Sequence, residues 1–135
     1  MSEIPQATVD VILVGLEHGI DSVRDGGPLI PFVITERRGK RAVARFAAET
    51  LEAGIDAGVA AITANRPEPG DVAVLVYDGY LTLPEGERFD AIYAEALDGE
   101  GAVTVMAQAY RPKRFLRGLE TIGEPAYFPG ARGKL

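Results

Sequence analysis

An α+β domain, with helices packed on one mostly antiparallel sheet of about five strands, is the fold this sequence predicts. Three observations lead there. The 135 residues are 47% hydrophobic and 25% charged, the balance of one globular domain that buries a core without staples. Short apolar runs with two-residue alternation are separated by glycine- and proline-containing turns. Between them, one long segment switches to helical period. The predicted order is helix, β-hairpin, long helix and a three-stranded antiparallel meander, forming one domain over 1–135 with a mobile tail from about residue 129.

In the first element, Val9, Ile12, Leu13, Leu16 and Ile20 recur at helical spacing and Thr8 could cap the helix, whereas Val11 and Val14 make the segment apolar nearly all round. A buried strand over Val9–Leu16 is the rival reading. Asp25-Gly26-Gly27-Pro28 ends either one. Leu29–Thr35, its start pushed toward a sheet edge by Pro31, and Ala42–Phe46 then form a hairpin around the basic tip Arg37-Arg38-Gly39-Lys40. From Ala47 to Asn65, Leu51, Ile55, Val59 and Ile62 share one helical face and Glu49, Glu52 and Asp56 fall away from it. Gly54 and Gly58 in that helix let another backbone pack close.

The near-continuous apolar run Val72–Tyr77 suits a central strand covered on both faces. Asp78-Gly79 makes a tight turn or a bulge, and Tyr80–Leu83 resumes an extended pattern before Pro84-Glu85-Gly86 turns again. Phe89, Ala91, Tyr93 and Leu97 alternate with Asp90, Ile92 and Ala94, and Gly99-Glu100-Gly101 joins them to Val103, Val105, Ala107 and Ala109. A short helix is expected over Phe115–Leu119, beyond Pro112. In element order alone the chain resembles profilin-type and roadblock-type modules, a fold-level analogy that implies no function.

With no cysteine, disulfides, thiolate metal sites and cysteine nucleophiles are excluded. One histidine, no cysteine and no tryptophan argue against a His-rich zinc or haem site and leave only a carboxylate site for a hard cation open, so no cofactor and no metal are expected. Val11–Leu16 is too short for a signal peptide and no apolar run is long enough to span a bilayer, so the expected setting is the cytoplasm, without a membrane partner. A net charge of -6 opposes nucleic-acid binding. Nine of the 14 basic residues nevertheless fall in two acid-free runs: Arg37, Arg38, Lys40, Arg41 and Arg45, then Arg111, Lys113, Arg114 and Arg117.

Either run could hold a phosphate, a carboxylate or an acidic partner surface, or simply be solvated; charges also keep an edge hairpin from aggregating. The second run interleaves Tyr110, Pro112 and Phe115 with its cations, loosely like a surface on which bases stack. Asp78 lies at a break in an apolar strand, where it is either a turn residue or a general base with Asp90 or Glu95 as partner. Glu17, His18 and Asp21 partly share a helical face but read better as solvated. The paired glycines lack the strand, spacing and helix of a phosphate loop.

These residues predict a non-enzymatic interaction or regulatory module that self-associates as a homo-oligomer, through an uncovered sheet edge or the first apolar helix, and that could also meet another protein. The alternative is a small enzyme or binding protein for a phosphorylated or carboxylated small molecule. In it Arg37, Arg38, Arg41 and Arg114 hold the ligand's charge and Asp78 or Asp90 acts on it.

Overall fold

The computed structural model describes residues 4–26, 28–112, 118–131 and 133–135. Helix α1 (Gln6–Arg24) follows Pro5 and is a helix, not the rival strand. Its buried residues Thr8, Val11, Ile12, Gly15, Leu16, Gly19 and Ile20 form one stripe of three- and four-residue spacing. Leu13, off that stripe, stays 42% exposed. Thr8 is therefore a core residue and not the cap; Pro5 occupies the N-cap position and its carbonyl accepts the Thr8 N–H.

Strands β1 (Phe32–Arg37) and β2 (Lys40–Arg45) form the expected hairpin. Its two-residue turn, Arg38-Gly39, has positive φ at both positions, which matches the strand twist. Pro31 stands just ahead of β1, yet β1 is internal and β2 is the edge. Helix α2 (Leu51–Ala64) starts later than the periodicity suggests, because the Thr50 side chain accepts the Ala53 N–H and fixes the N-terminus there. Gly54 does let another backbone pack close, a β-carbon there lying 2.6 Å from the Phe46 carbonyl oxygen, whereas Gly58 makes room for a side chain, 2.8 Å from Leu75 Cδ1.

Four long strands follow: β3 (Val72–Thr82), β4 (Arg88–Asp98), β5 (Val103–Pro112) and β6 (Leu119–Tyr127). The predicted break at Asp78-Gly79 does not occur. β3 runs straight through it, Asp78 opposite Ile92 and Gly79 opposite Ala91, because eleven paired positions with β4 outweigh the local turn preference of Asp-Gly. The chain turns only at Leu83–Glu87, where Pro84-Glu85-Gly86 is expected to turn it. The sheet has six strands, not about five, in the order β2-β1-β3-β4-β5-β6, all neighbours antiparallel. The extra strand is β6, which takes Leu119 from the expected short helix; Phe115 to Arg117 lie outside the described residues.

Among the described residues each face of the sheet receives one helix. Ile34, Val74, Val76 and Ile92 pack with α1, whereas Val33, Leu75 and Leu97 pack with Ile55 and Ile62 of α2. The apolar run Val72–Tyr77 thus feeds two cores from alternate positions. The result is three layers with the sheet in the middle. α2 lies over β1 and β3, and on the same face the chain's last residues cover part of β4. Among the described residues no helix is long and apolar enough to cross a membrane.

Candidate functional site

Between α2 and the last residues of the chain lies a cleft of about 470 Å³, lined by Glu52 and Ile55 from α2, Tyr77 and Tyr93 from the sheet, and Phe128 and Gly133 from the tail. Strand parity sets its floor. Tyr77 opposes Tyr93 across β3 and β4, and their rings stack 5.5 Å apart at 5°. Two residues along β4 on the same face is Glu95, 0% exposed. The Tyr77 hydroxyl donates to Glu95 Oε2, and the backbone N–H groups of Lys134 (2.7 Å) and Leu135 (3.0 Å) both donate to Oε1. A buried carboxylate is tolerated only when so satisfied. The Tyr93 hydroxyl donates to the Tyr80 carbonyl (2.6 Å), tying the stacked pair to the far end of β3. Burial first, and then the adjacent carboxylate, push the Tyr77 and Tyr93 phenols above the usual tyrosine range, so both remain donors.

Asp78 sits on the opposite, α1-side face. Its carboxylate accepts the Tyr110 hydroxyl (3.0 Å), and Asp90, opposite both Tyr80 and Tyr110, is its diagonal neighbour. Burial raises the Asp78 pKa and Asp90 adds to that, while the Tyr110 hydrogen bond pulls it down. Glu95 faces the other side of the sheet and is not a partner of Asp78. A carboxyl whose folded pKa is raised stabilises the fold fully below its unfolded pKa. That contribution is lost as pH rises through the folded value. Asp78→Asn keeps an acceptor for Tyr110 and removes the ionisation, so it is expected to melt higher than the native chain near pH 7. The gain should shrink toward zero below the unfolded aspartate pKa of about 3.9, as thermal unfolding across that range would show.

The two groups proposed from sequence to cooperate lie at opposite ends of the sheet. Phe32 pairs with Val76 and Glu36 with Val72, so the Arg37–Arg41 tip lies beyond Val72 and Asp78 beyond Val76. At about 3.3 Å per residue this separates them by roughly 20 Å. Arg37 caps the end of α2 by donating to the Asn65 carbonyl (2.6 Å), the Arg38 N–H donates to Asp71 (3.0 Å), and Arg41 forms an ion pair with Glu36 (2.7 Å). Arg111, at the Asp90 end of β5, pairs with Glu120 of β6. Arg114 lies outside the described residues. His18 and Glu17 are exposed on α1, and Asp21 pairs with Arg24. Among the described residues no group of three or more His, Cys, Asp or Glu side chains could hold a metal ion.

Sequence reading missed the Tyr77–Glu95 pair, although a signal was present: Glu95 shares parity with Tyr93 and Leu97 in an apolar strand, where an acid demands a buried donor. The edge strand β2 is the other conspicuous feature. All six of its residues are exposed, and Lys40 and Arg45 make no ion pair among the described residues. No protein-family model, curated protein or solved structure matches the chain, and its site is therefore read from geometry alone.

Proposed function

We propose that the protein is a non-enzymatic interaction module that takes up an extended acidic segment of a partner protein along the free edge of β2. The observation that carries this reading is a fully exposed, regular edge strand bearing cations on a chain of net charge -6. The Phe46 N–H donates to the Pro31 carbonyl, continuing the pairs that involve even-numbered residues of β2. The backbone groups of Arg41, Val43 and Arg45 accordingly turn outward. Beside them, Ala42, Ala44 and Ala61 leave a recess of about 190 Å³ between β2 and α2, room for side chains of an added strand. The opposite edge is blunted: β6 contains Pro125, and its pairing with β5 shifts register between Ala107 and Ala109.

Charge favours an acidic partner over a second copy joined at β2. An antiparallel β2–β2 pairing through those outward groups centres on Val43 and sets Arg41 against Arg45 twice, and like charges directly opposite are destabilising. Self-association through α1 has little to work with, because its apolar stripe is spent on the sheet. The alternative of a small enzyme or anion-binding protein has the Asp78–Tyr110–Asp90 cluster in its favour, but the Arg37–Arg41 tip stands far from it and Arg111, at that end, is held by Glu120.

The test is fluorescence anisotropy with a labelled peptide of alternating Glu and Val. Saturable binding that weakens with salt is expected, with a loss of about tenfold or more in Arg45→Glu and in Val43→Pro, that is, at least about 1.4 kcal/mol. Proline at 43 removes an outward N–H without taking one from the β1 ladder. Equal binding of a Gln-Val peptide, or a stable dimer in sedimentation that Val43→Pro dissociates, overturns the acidic-segment reading.

A further inference from the structure

The polar floor of the α2-side cleft is built from β3 and β4, with Val105 of β5 beside Glu95. Tyr77, Tyr93 and Glu95 are fixed to one another and to the Tyr80 carbonyl, and none of those contacts requires the tail. The tail is held differently. Its polar contacts with Glu95 come from two consecutive backbone N–H groups, while Gly133 and Lys134 stay exposed and Leu135 packs partly into the α2-side core. Such a floor reads the path of a peptide and only two side-chain positions along it. One is Gly133, where any β-carbon would overlap the Glu95 carboxylate; the other is Leu135. Lys134 between them is unconstrained, and Glu52 on the cleft wall favours a basic residue there.

We propose that the seat of residues 133–135 on Glu95, at the wall of this cleft, is a peptide-binding groove of which those residues are the resident occupant. An extended segment of the same pattern, glycine over the Glu95 carboxylate, a basic residue next and an apolar residue after it, displaces them. The open cleft of about 470 Å³ lies beside that seat and is walled by Gly133 and Lys134 themselves, so it is room next to the segment and not the space the segment fills. Glu95 accepts two charge-assisted bonds from these N–H groups, so a segment that displaces the tail has to reproduce them to keep the buried carboxylate satisfied. The pattern is independent of the β2 edge, which lies beyond β1 and β3 in the same sheet.

The experiment uses the full chain and a labelled peptide with the sequence of residues 129–135. Gly133→Val frees the groove in cis, and this variant is expected to bind the peptide at least about tenfold more tightly than the native chain does. Native-state hydrogen exchange provides the second readout and needs no variant. The Lys134 and Leu135 amides should exchange well before those of Val74 and Val76, and excess unlabelled peptide should speed their exchange by about tenfold while leaving Val74 and Val76 unchanged. A peptide with valine in place of the glycine at position 133 should have no effect. The proposal is overturned if folded Gly133→Val binds no better than the native chain. It is equally overturned if the two tail amides open only with global unfolding, or if their exchange is indifferent to the peptide.

Discussion

Glu95→Ala is expected to cost about 3 kcal/mol or more of folding free energy, whereas Glu95→Gln should cost less than about half as much. Alanine removes the acceptor of a phenol that burial keeps protonated, and an orphaned buried donor costs about 1–3 kcal/mol. It also empties the volume of a side chain that is 0% exposed, adding a cavity term, and releases the N–H groups of Lys134 and Leu135. Glutamine keeps all three contacts with one reversed: its carbonyl oxygen takes the two tail N–H groups and its amide donates to the Tyr77 oxygen, whose own proton turns into the cleft. Urea unfolding measures both. Adding Tyr77→Phe to Glu95→Ala removes the orphaned hydroxyl, so the double variant should fall short of the sum of the singles by about 1–2 kcal/mol. A cost below about 1 kcal/mol for Glu95→Ala would mean that the carboxylate holds nothing in place.

The contrast between Glu95 and Asp78 shows how far the sequence could be read. Both are acids in strands, but their weight differs by parity, and parity depends on where each strand begins and ends. Tyr93, Glu95 and Leu97 share a face once β4 is known to run unbroken from Arg88 to Asp98. Asp78-Gly79 carried the strongest local turn signal of β3, and that signal lost to long-range pairing with β4, which local propensity cannot contain. Elements governed by periodicity over many residues, such as α2 and the β4–β5 meander, were legible. The number of strands and the separation of the basic tip from Asp78 depended on topology, so spacing along the chain could not supply them. The cleft was hidden for the same reason, since its carboxylate and its tail partners are 39 and 40 residues apart.

Gly99 makes the same point through a second large effect. In sequence, Gly99 and Gly101 look equivalent, two turn glycines around Glu100. In the structure only Gly101 has positive φ, at 85°, while Gly99 is where the β4–β5 turn meets the loop before β3. The Gly99 N–H donates to the Asp71 carbonyl (3.2 Å), and a β-carbon at Gly99 would overlap the Glu68 carbonyl and lie 2.5 Å from Pro69 Cα. Those are backbone atoms of a loop stiffened by Pro67 and Pro69 and closed by the Asp71 N–H to the Glu68 carbonyl (2.8 Å), so no rotamer change relieves the overlap. The turn cannot retreat freely either, because the Asp98 carboxylate accepts the N–H groups of Glu100 and Ala102. Gly99→Ala is therefore expected to cost about 3 kcal/mol or more, at the upper end of overpacking penalties. Gly101→Ala, with nothing within 4 Å of its β-carbon, should cost only the backbone strain of about 1–2 kcal/mol. Thermal unfolding of the two variants side by side decides it: a Gly99→Ala melting temperature at or above that of Gly101→Ala would show that the Glu68–Pro69 loop yields, and that the two glycines are alike after all.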